Sequence, residues 1–218
     1  QRSQLIAIDS TRRDYPTGTP PGAQPRTAGL GVNEQGTTHF SAVDKNGNVA
    51  SMTSTVEKSF GSQLIADGFV LNNELTDFSF VPERNGAPVA NRVEPGKRPL
   101  SSMSPTIVYN SSGRPVLAIG SAGGKQIIMH VTRALIGFID WDLPAAEAIA
   151  LPNIYFSGNG GLLVETGTSL DAMRPALARL GETVVAADIR SKLNAVEWTE
   201  AGWRGAADPR SEGVALSQ

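Results

Sequence analysis

Hydrophobic spacing along the chain switches between two periods, and that switching predicts an α+β layered fold. Two pairs of segments alternate or run apolar around turn-rich connections, as antiparallel hairpins do, while other stretches repeat apolar residues at helical spacing. The composition suits a packed domain: 218 residues, 40% apolar and 18% charged, enough to bury a core without disulfides. Glycine (23) and proline (14) are abundant, so turns and strand ends should be frequent.

The opening run Gln1 to Asp9 carries Leu5, Ile6 and Ile8 and reads as the last turns of a helix. Thr11 to Gly36 is loop-like, punctuated by Pro16, Pro20, Pro21, Gly22, Pro25, Gly29 and Gly31. A globular domain rarely opens on so long a structureless stretch, so this one is a linker or is ordered by something else. At Thr37 the texture changes. Thr38 to Val43 alternates, Val49 to Val56 follows, and Asn46-Gly47 between them is a strong hairpin signal. The first strand should begin at or beside Thr37.

Phe69-Val70-Leu71 precedes a polar cluster, Asn72 to Asp77, and a Pro- and Gly-rich connection runs from Val81 to Pro99. A second hairpin is expected from Thr106–Tyr109 and Val116–Ile119 around a turn at 110–114. Beyond Gly120-Ser121-Ala122-Gly123-Gly124, a helix is predicted from Lys125 to about Ile139, with Ile127, Ile128, Val131, Leu135 and Ile136 in phase. A short helix should cover Leu143–Ala150 with Asp142 as its cap, and another Leu170–Leu180 between Ser169 as cap and Gly181 as stop. Leu162–Val164, Val184–Val185, Ala195–Trp198 and Trp203–Ala206 read as short strands.

Several chemistries are excluded early. With no cysteine and only His39 and His130, thiolate catalysis, cysteine zinc sites and histidine-rich metal sites drop out. Nineteen basic against 21 acidic residues leave a net charge of −2, so no basic field points to nucleic acid. No apolar run reaches the ~18 residues of a membrane span. Gly123-Gly124-Lys125 lacks the spacing and hydroxyl of a phosphate-binding loop, and Gly158-Asn159-Gly160 lacks the third glycine of a dinucleotide motif. Ser121 lacks the flanking glycines of a nucleophile elbow. His130 falls inside an apolar helix and reads as a packed core histidine. Hydroxyls, carboxylates and backbone groups remain.

The seam Gly36-Thr37-Thr38-His39 uses them best. A threonine hydroxyl is a poor nucleophile unless a neighbouring base takes its proton, and an N-terminal threonine carries such a base in its own α-amine. Exposing that amine requires cleavage before Thr37, and Gly36 offers no side chain to obstruct attack on its carbonyl. By itself, Gly-Thr-Thr at a strand start is ordinarily just a strand start.

Here further motifs accompany it. Thr37-Thr38-His39-Phe40-Ser41 with Asp44-Lys45-Asn46-Gly47-Asn48, then Phe60-Gly61, Leu71 to Ser79, Lys97 to Thr106, Gly120 to Gly124 and Asp208 to Ser211, resemble in order the small subunit of γ-glutamyltranspeptidases. The resemblance covers 37–218, and 1–36 resembles the tail of the large subunit with the loop before the autocleavage site. It implies an αββα four-layer sandwich of the N-terminal-nucleophile hydrolase type, this chain supplying about half. It also implies a precursor that cuts itself between Gly36 and Thr37, and a large-subunit partner from the same precursor.

Carried over by residue, the resemblance makes Thr37 the nucleophile and its freed amine the base, with Thr55 hydrogen-bonded to the Thr37 hydroxyl. Gly123 and Gly124 would form the oxyanion hole. Glu74 and Asp77 would hold the substrate's α-ammonium and Ser101 and Ser102 its α-carboxylate, the latter together with a large-subunit arginine that this chain does not contain. Glu57 stands where typical members have Asn, at the substrate's amino-acid end. Its charge would repel the α-carboxylate, unless it faces solvent, pairs with Lys58 or Arg98, or instead holds the ammonium. The implied reaction is transfer or hydrolysis of γ-glutamyl amides such as glutathione, to an amino acid, a peptide or water, without metal or organic cofactor. A glutaryl- or cephalosporin-type amide acylase and a non-catalytic assembly module are the alternatives. A periplasmic or secreted location is the family expectation for a bacterial member.

Overall fold

The computed structural model describes residues 2–11, 18–19, 21–24, 36–157 and 161–217. Most of the predicted 11–36 loop and Gly158–Gly160 lie outside them. The chain forms two compact units, one from Arg26–Leu151 and Arg190–Gln218, the other from Gln1–Pro25 and Pro152–Ile189.

The larger unit begins with the expected hairpin. β1 (Thr37–Val43) and β2 (Val49–Thr55) pair antiparallel with Thr37 opposite Thr55 and Val43 opposite Val49. Asp44 closes the turn by accepting the N–H groups of Asn46 and Asn48, both at 2.9 Å. Two small hairpins follow in the connection: β3 (Ile65–Ala66) with β4 (Phe69–Val70), and β5 (Glu83–Arg84) with β6 (Ala87–Pro88). Neither is in the sequence prediction, which assigns no strand over 65–70 and treats the proline- and glycine-rich 81–99 stretch as irregular.

β7 (Thr106–Tyr109) and β8 (Pro115–Gly120) form the second predicted hairpin. A 3-10 turn at Gly124–Gln126 feeds α1 (Ile127–Ile139), so the predicted start at Lys125 falls within that turn. α2 (Ala145–Ala150) is shorter than predicted. Pro144 precedes it as N-cap, and Asp142, expected to cap, instead takes a left-handed backbone with φ 54°.

In the smaller unit, β9 (Ile154–Phe156) and β10 (Leu162–Glu165) pair antiparallel. The predicted helix over 170–180 is two short ones, α3 (Ser169–Ala172) and α4 (Arg174–Arg179), capped by Thr168 rather than Ser169. Pro175 accounts for the break, since proline donates no N–H and disfavours helical backbone just before it. β11 (Val184–Ala187) then pairs parallel with β10.

β12 (Asn194–Thr199) and β13 (Gly202–Ala207) return to the larger unit and complete a four-stranded sheet ordered β13-β12-β8-β7. α1 and α2 cover one face of this sheet, where Leu117, Ile119, Ile127, Val131, Ile149 and Leu193 form the core. The β1–β2 ribbon packs on the other face, against β8 and β12. Helices, sheet and ribbon are successive layers of the expected sandwich. Among the described residues, no helix is long and apolar enough to cross a membrane.

The ribbon is inverted relative to a hydrophobic reading of its sequence. Thr37, His39, Ser41, Ser51, Thr53 and Thr55 fall on the half-buried or buried face, while Phe40 and Met52, directly paired, stay exposed. The inward polar groups are satisfied in place. His39 Nδ1 hydrogen-bonds Thr53 Oγ1 at 2.8 Å and Nε2 meets Ser41 Oγ at 3.1 Å. Ser51 donates to the Ile119 carbonyl of β8 at 3.2 Å.

Candidate active site

The open end of the ribbon carries the hydroxyl pair. The Thr37 hydroxyl donates to Thr55 Oγ1 at 3.0 Å, because the antiparallel register sets these residues opposite each other. The ladder continues past both strands. The Val56 N–H donates to the Gly36 carbonyl at 3.2 Å and the Gly36 N–H to the Glu57 carbonyl at 2.8 Å. A Cβ on residue 36 would come within 2.6 Å of the Lys58 carbonyl oxygen, so glycine alone fits there.

Glu57 makes a sharp exit from β2 with φ 70°, a left-handed conformation that costs a residue with a Cβ roughly 1–2 kcal/mol. That turn aims its N–H at Thr55 Oγ1, 2.9 Å away. With a lone pair of Thr55 so occupied, its own proton is available to a Thr37 oxygen that has lost one. Strain at a buried acid beside a hydroxyl pair is the kind of feature that functional sites retain.

The Glu57 side chain is fully buried, which removes the solvent-facing reading, and it is held by Asn73 Nδ2 rather than by Lys58 or Arg98. Asn73 is the organiser here. Its Nδ2 also donates to Thr76 Oγ1 at 2.7 Å, its Oδ1 accepts the Lys58 N–H at 3.2 Å, and its own N–H donates to the Val56 carbonyl at 3.3 Å. These bonds pin the 3-10 turn Glu74–Asp77 against the end of the ribbon. Burial, then the charge of Glu57, raises the Asp77 carboxyl above the ordinary carboxylate range, and a hydrogen bond with Glu74 acts the other way. Glu57, Glu74 and Asp77 are thus brought together as one acidic group. Glu57 Oε1 and Asp77 Oδ2 are buried without a hydrogen-bond partner among the described residues. Leaving such oxygens unmet costs ~1–3 kcal/mol each, more when charged.

Asn91 is a residue that sequence reasoning missed. It is buried, its Nδ2 donates to the Asp77 carbonyl at 2.6 Å, and its Oδ1 accepts the Leu100 N–H at 2.8 Å. It thereby ties the acidic turn to the irregular segment leading into Ser101 and Ser102. Ser101 is exposed and its hydroxyl accepts the Met103 N–H at 3.2 Å, while the Ser102 carbonyl accepts from the Ser104 hydroxyl at 3.0 Å. No local pattern marks Asn91. Its role arises only once two loops meet on either side of it.

Gly123 and Gly124 follow β8 with φ 133° and φ 58°, backbone conformations that residues with a Cβ rarely adopt. They lead directly into the 3-10 turn before α1, the setting in which successive N–H groups are left open to an anion. The His130 ring lies beneath them: a Cβ on residue 123 would sit 3.3 Å from its Cε1. His130 is completely buried, and its pKa falls to about 4 through burial and then the nearby Arg133 charge, so it is a neutral core imidazole. The hydroxyl pair, the acidic group and the glycine turn all belong to the larger unit. Among the described residues, no group of three or more acidic or histidine side chains has metal-binding geometry.

A family model described as gamma-glutamyltranspeptidase matches residues 1–218. The chain is 37% identical over 182 residues to a glutathione hydrolase proenzyme from Bacillus subtilis, covering 79% of this chain and 30% of that protein. It is 38% identical over 186 residues to the Escherichia coli glutathione hydrolase proenzyme, covering 80% and 31%. A solved mutant γ-glutamyltranspeptidase from Helicobacter pylori superposes with a TM-score of 0.70 at 34% identity, covering 80% of this chain and 100% of that one. The chain therefore spans about a third of the length of the curated relatives it matches.

Proposed function

The chain belongs to the γ-glutamyltranspeptidase family, and from that premise we propose that it carries the nucleophile of a γ-glutamyl transferase and glutathione hydrolase. The precursor cuts itself between Gly36 and Thr37. The Thr37 hydroxyl adds to the Gly36 carbonyl, whose oxygen already accepts the Val56 N–H. The peptide C–N bond then breaks, leaving an ester that water hydrolyses and a free amine on Thr37.

In the mature enzyme that amine takes the Thr37 hydroxyl proton as the oxygen attacks the γ-glutamyl amide. The Gly123 and Gly124 N–H groups bear the developing oxyanion. The amine returns the proton to the departing nitrogen, and a γ-glutamyl ester remains on Thr37. Water or an amino-acid amine then adds to that ester and frees the product. The observation that carries this reading is the Thr37–Thr55 hydroxyl pair at 3.0 Å, adjoined through Glu57 by an acidic group with unmet oxygens.

That group also bears on specificity. Glu57 sharing its environment with Asp77 favours contact with the α-ammonium over repulsion of the α-carboxylate, and hence γ-glutamyl over glutaryl amides. Ser101 and Ser102 are assigned to the α-carboxylate. The apolar side chains of Phe60, Phe69, Leu75 and Phe80, largely exposed, are assigned to contact with a large subunit of the same precursor.

Intact mass and N-terminal sequencing of the complete precursor test the reading. We expect a small subunit beginning at Thr37, no cleavage in Thr37→Ala, and turnover of a γ-glutamyl anilide well above that of its glutaryl analogue. A folded wild-type precursor that stays whole on long incubation overturns it.

A further inference from the structure

The His39 imidazole fills a place that belongs geometrically to another residue. An ideal Cβ on Gly120 would fall 2.2 Å from His39 Cε1, 2.4 Å from Nδ1 and 2.6 Å from Nε2, which amounts to sharing the same space. The ring therefore occupies the side-chain position of Gly120, at the end of β8, and only a glycine admits it. The ring is also held rigidly. Both nitrogens are engaged, by Thr53 of β2 and Ser41 of β1, and the His39 carbonyl accepts Asn194 Nδ2 of β12 at 2.6 Å. The residue is 6% exposed, and burial lowers its pKa to about 4, so it remains neutral through the physiological range.

Its position along the chain gives this packing meaning. His39 lies two residues past Thr37 on the same face of β1, and Gly120 opens straight into Ser121-Ala122-Gly123-Gly124. The imidazole is thus the spacer between the strand bearing the hydroxyl pair and the strand that ends in the glycine turn. Resting on the reading given above, we infer that His39 is a positioning residue, with Gly120 as its socket, that sets the distance between the Thr37 hydroxyl and the Gly123 and Gly124 amides. Nothing in the catalytic steps uses the ring directly. It acts through registry, where a displacement of about 1 Å can cost on the order of 100-fold in rate.

A double-mutant cycle on the complete, self-processed enzyme tests this, with γ-glutamyl p-nitroanilide as substrate. Gly120→Ala should push the ring away and lower kcat by about 100-fold or more with little change in KM. His39→Ala should lower kcat by about 10-fold, again with KM held, while His39→Gln, which keeps a planar group able to bond Thr53, should retain most activity. The decisive variant is the double one: removing the ring should relieve the overlap, so Gly120→Ala with His39→Ala should turn over faster than Gly120→Ala alone. Should Gly120→Ala fail to mature, recovery of maturation in the double variant supports the spacer, and its continued failure overturns it. Independent, multiplying losses, or a His39→Ala enzyme with normal kcat, also overturn it. A wild-type precursor that neither cuts itself nor turns over the anilide removes the functional reading itself, and this inference with it, before any variant is compared.

Discussion

The β1–β2 ribbon and the acidic turn that follows it both bury polar groups, yet they finish the task differently. In the ribbon every inward hydroxyl or imidazole named above has found a neighbour: Thr37 with Thr55, His39 with Thr53 and Ser41, Ser51 with the Ile119 carbonyl. In the turn, Glu57 and Asp77 are buried more deeply than the ribbon hydroxyls and yet keep oxygens with no partner among the described residues. Buried polar groups are costly unless paired, so a fully paired ladder suits a scaffold, whereas single unmet oxygens on Glu57 and Asp77 suit the ligand contact proposed for them. On the proposed reading, the ribbon is what holds the nucleophile and the acidic group is what meets the substrate.

The largest effect that would sharpen this contrast lies on the scaffold side. Gly124→Val places a branched side chain at φ 58° in the turn assigned to the oxyanion. Loss of one such donor typically costs ~3–4 kcal/mol, so kcat should fall by about 100- to 1,000-fold with the fold largely kept. Steady-state kinetics beside circular dichroism measures it, and normal turnover would detach the glycine turn from the chemistry.

A smaller effect is expected on the ligand side, where it should be selective. Asp77→Asn and Glu57→Gln each remove a charge facing the proposed ammonium, worth ~1.5–3 kcal/mol as a charged hydrogen bond, or about 10- to 100-fold in kcat/KM. The loss should appear with γ-glutamyl amides and be nearly absent with glutaryl amides, which lack the ammonium. Equal losses on both would mean that the acidic group is scaffold too. A gain on γ-glutamyl amides from Glu57→Gln would restore the repulsion reading.

The last effect, gradual rather than abrupt and read on stability instead of turnover, concerns pH and the two neutral imidazoles. His39 and His130 titrate near 4 in the fold against an ordinary value of 6.5. Between those limits the unfolded chain binds protons that the folded chain refuses. The stability these rings contribute is therefore complete above 6.5 and declines as the pH drops toward 4, by up to ~1.4 kcal/mol per pH unit for each ring. Asp77, whose pKa is raised, works in the opposite sense and blunts the slope. Denaturation midpoints from pH 7 to 4.5 should show the decline, and His130→Asn should remove about half of it. A flat profile would mean that the rings take up protons in place.

Much of the scaffold was legible because its signals are local. Asp44-Lys45-Asn46-Gly47-Asn48 fixes the hairpin, the hairpin sets Thr37 across from Thr55, and the apolar spacing from Ile127 onward announces α1. Alternation in the ribbon was readable too, but alternation gives a period and no direction. That Phe40 and Met52 face outward and His39 and Thr53 inward depends on β8 presenting Ala118 and Gly120, far along the chain. β9 went unseen because Ile154-Tyr155-Phe156 is short and its partner β10 supplies the evidence for it. The 170–180 helix was read through Pro175, whose missing N–H breaks it. On the ligand side, family resemblance points to the acids, while Asn73 and Asn91, which bond Glu57 and the Asp77 backbone, carry no spacing that a single sequence could reveal.

The register of the first hairpin has one more consequence. The Thr37–Thr55 contact joins residues 18 apart, and the Val56 N–H reaches the Gly36 carbonyl only when the same ribbon is closed. A nascent or misfolded chain holds neither contact. Under the proposed chemistry the cut is then a timestamp: a chain can be severed at Gly36 only after it has folded there. The ratio of whole to split polypeptide in a cell extract becomes an assay of folding that needs no probe, and every active molecule has passed inspection by its own backbone.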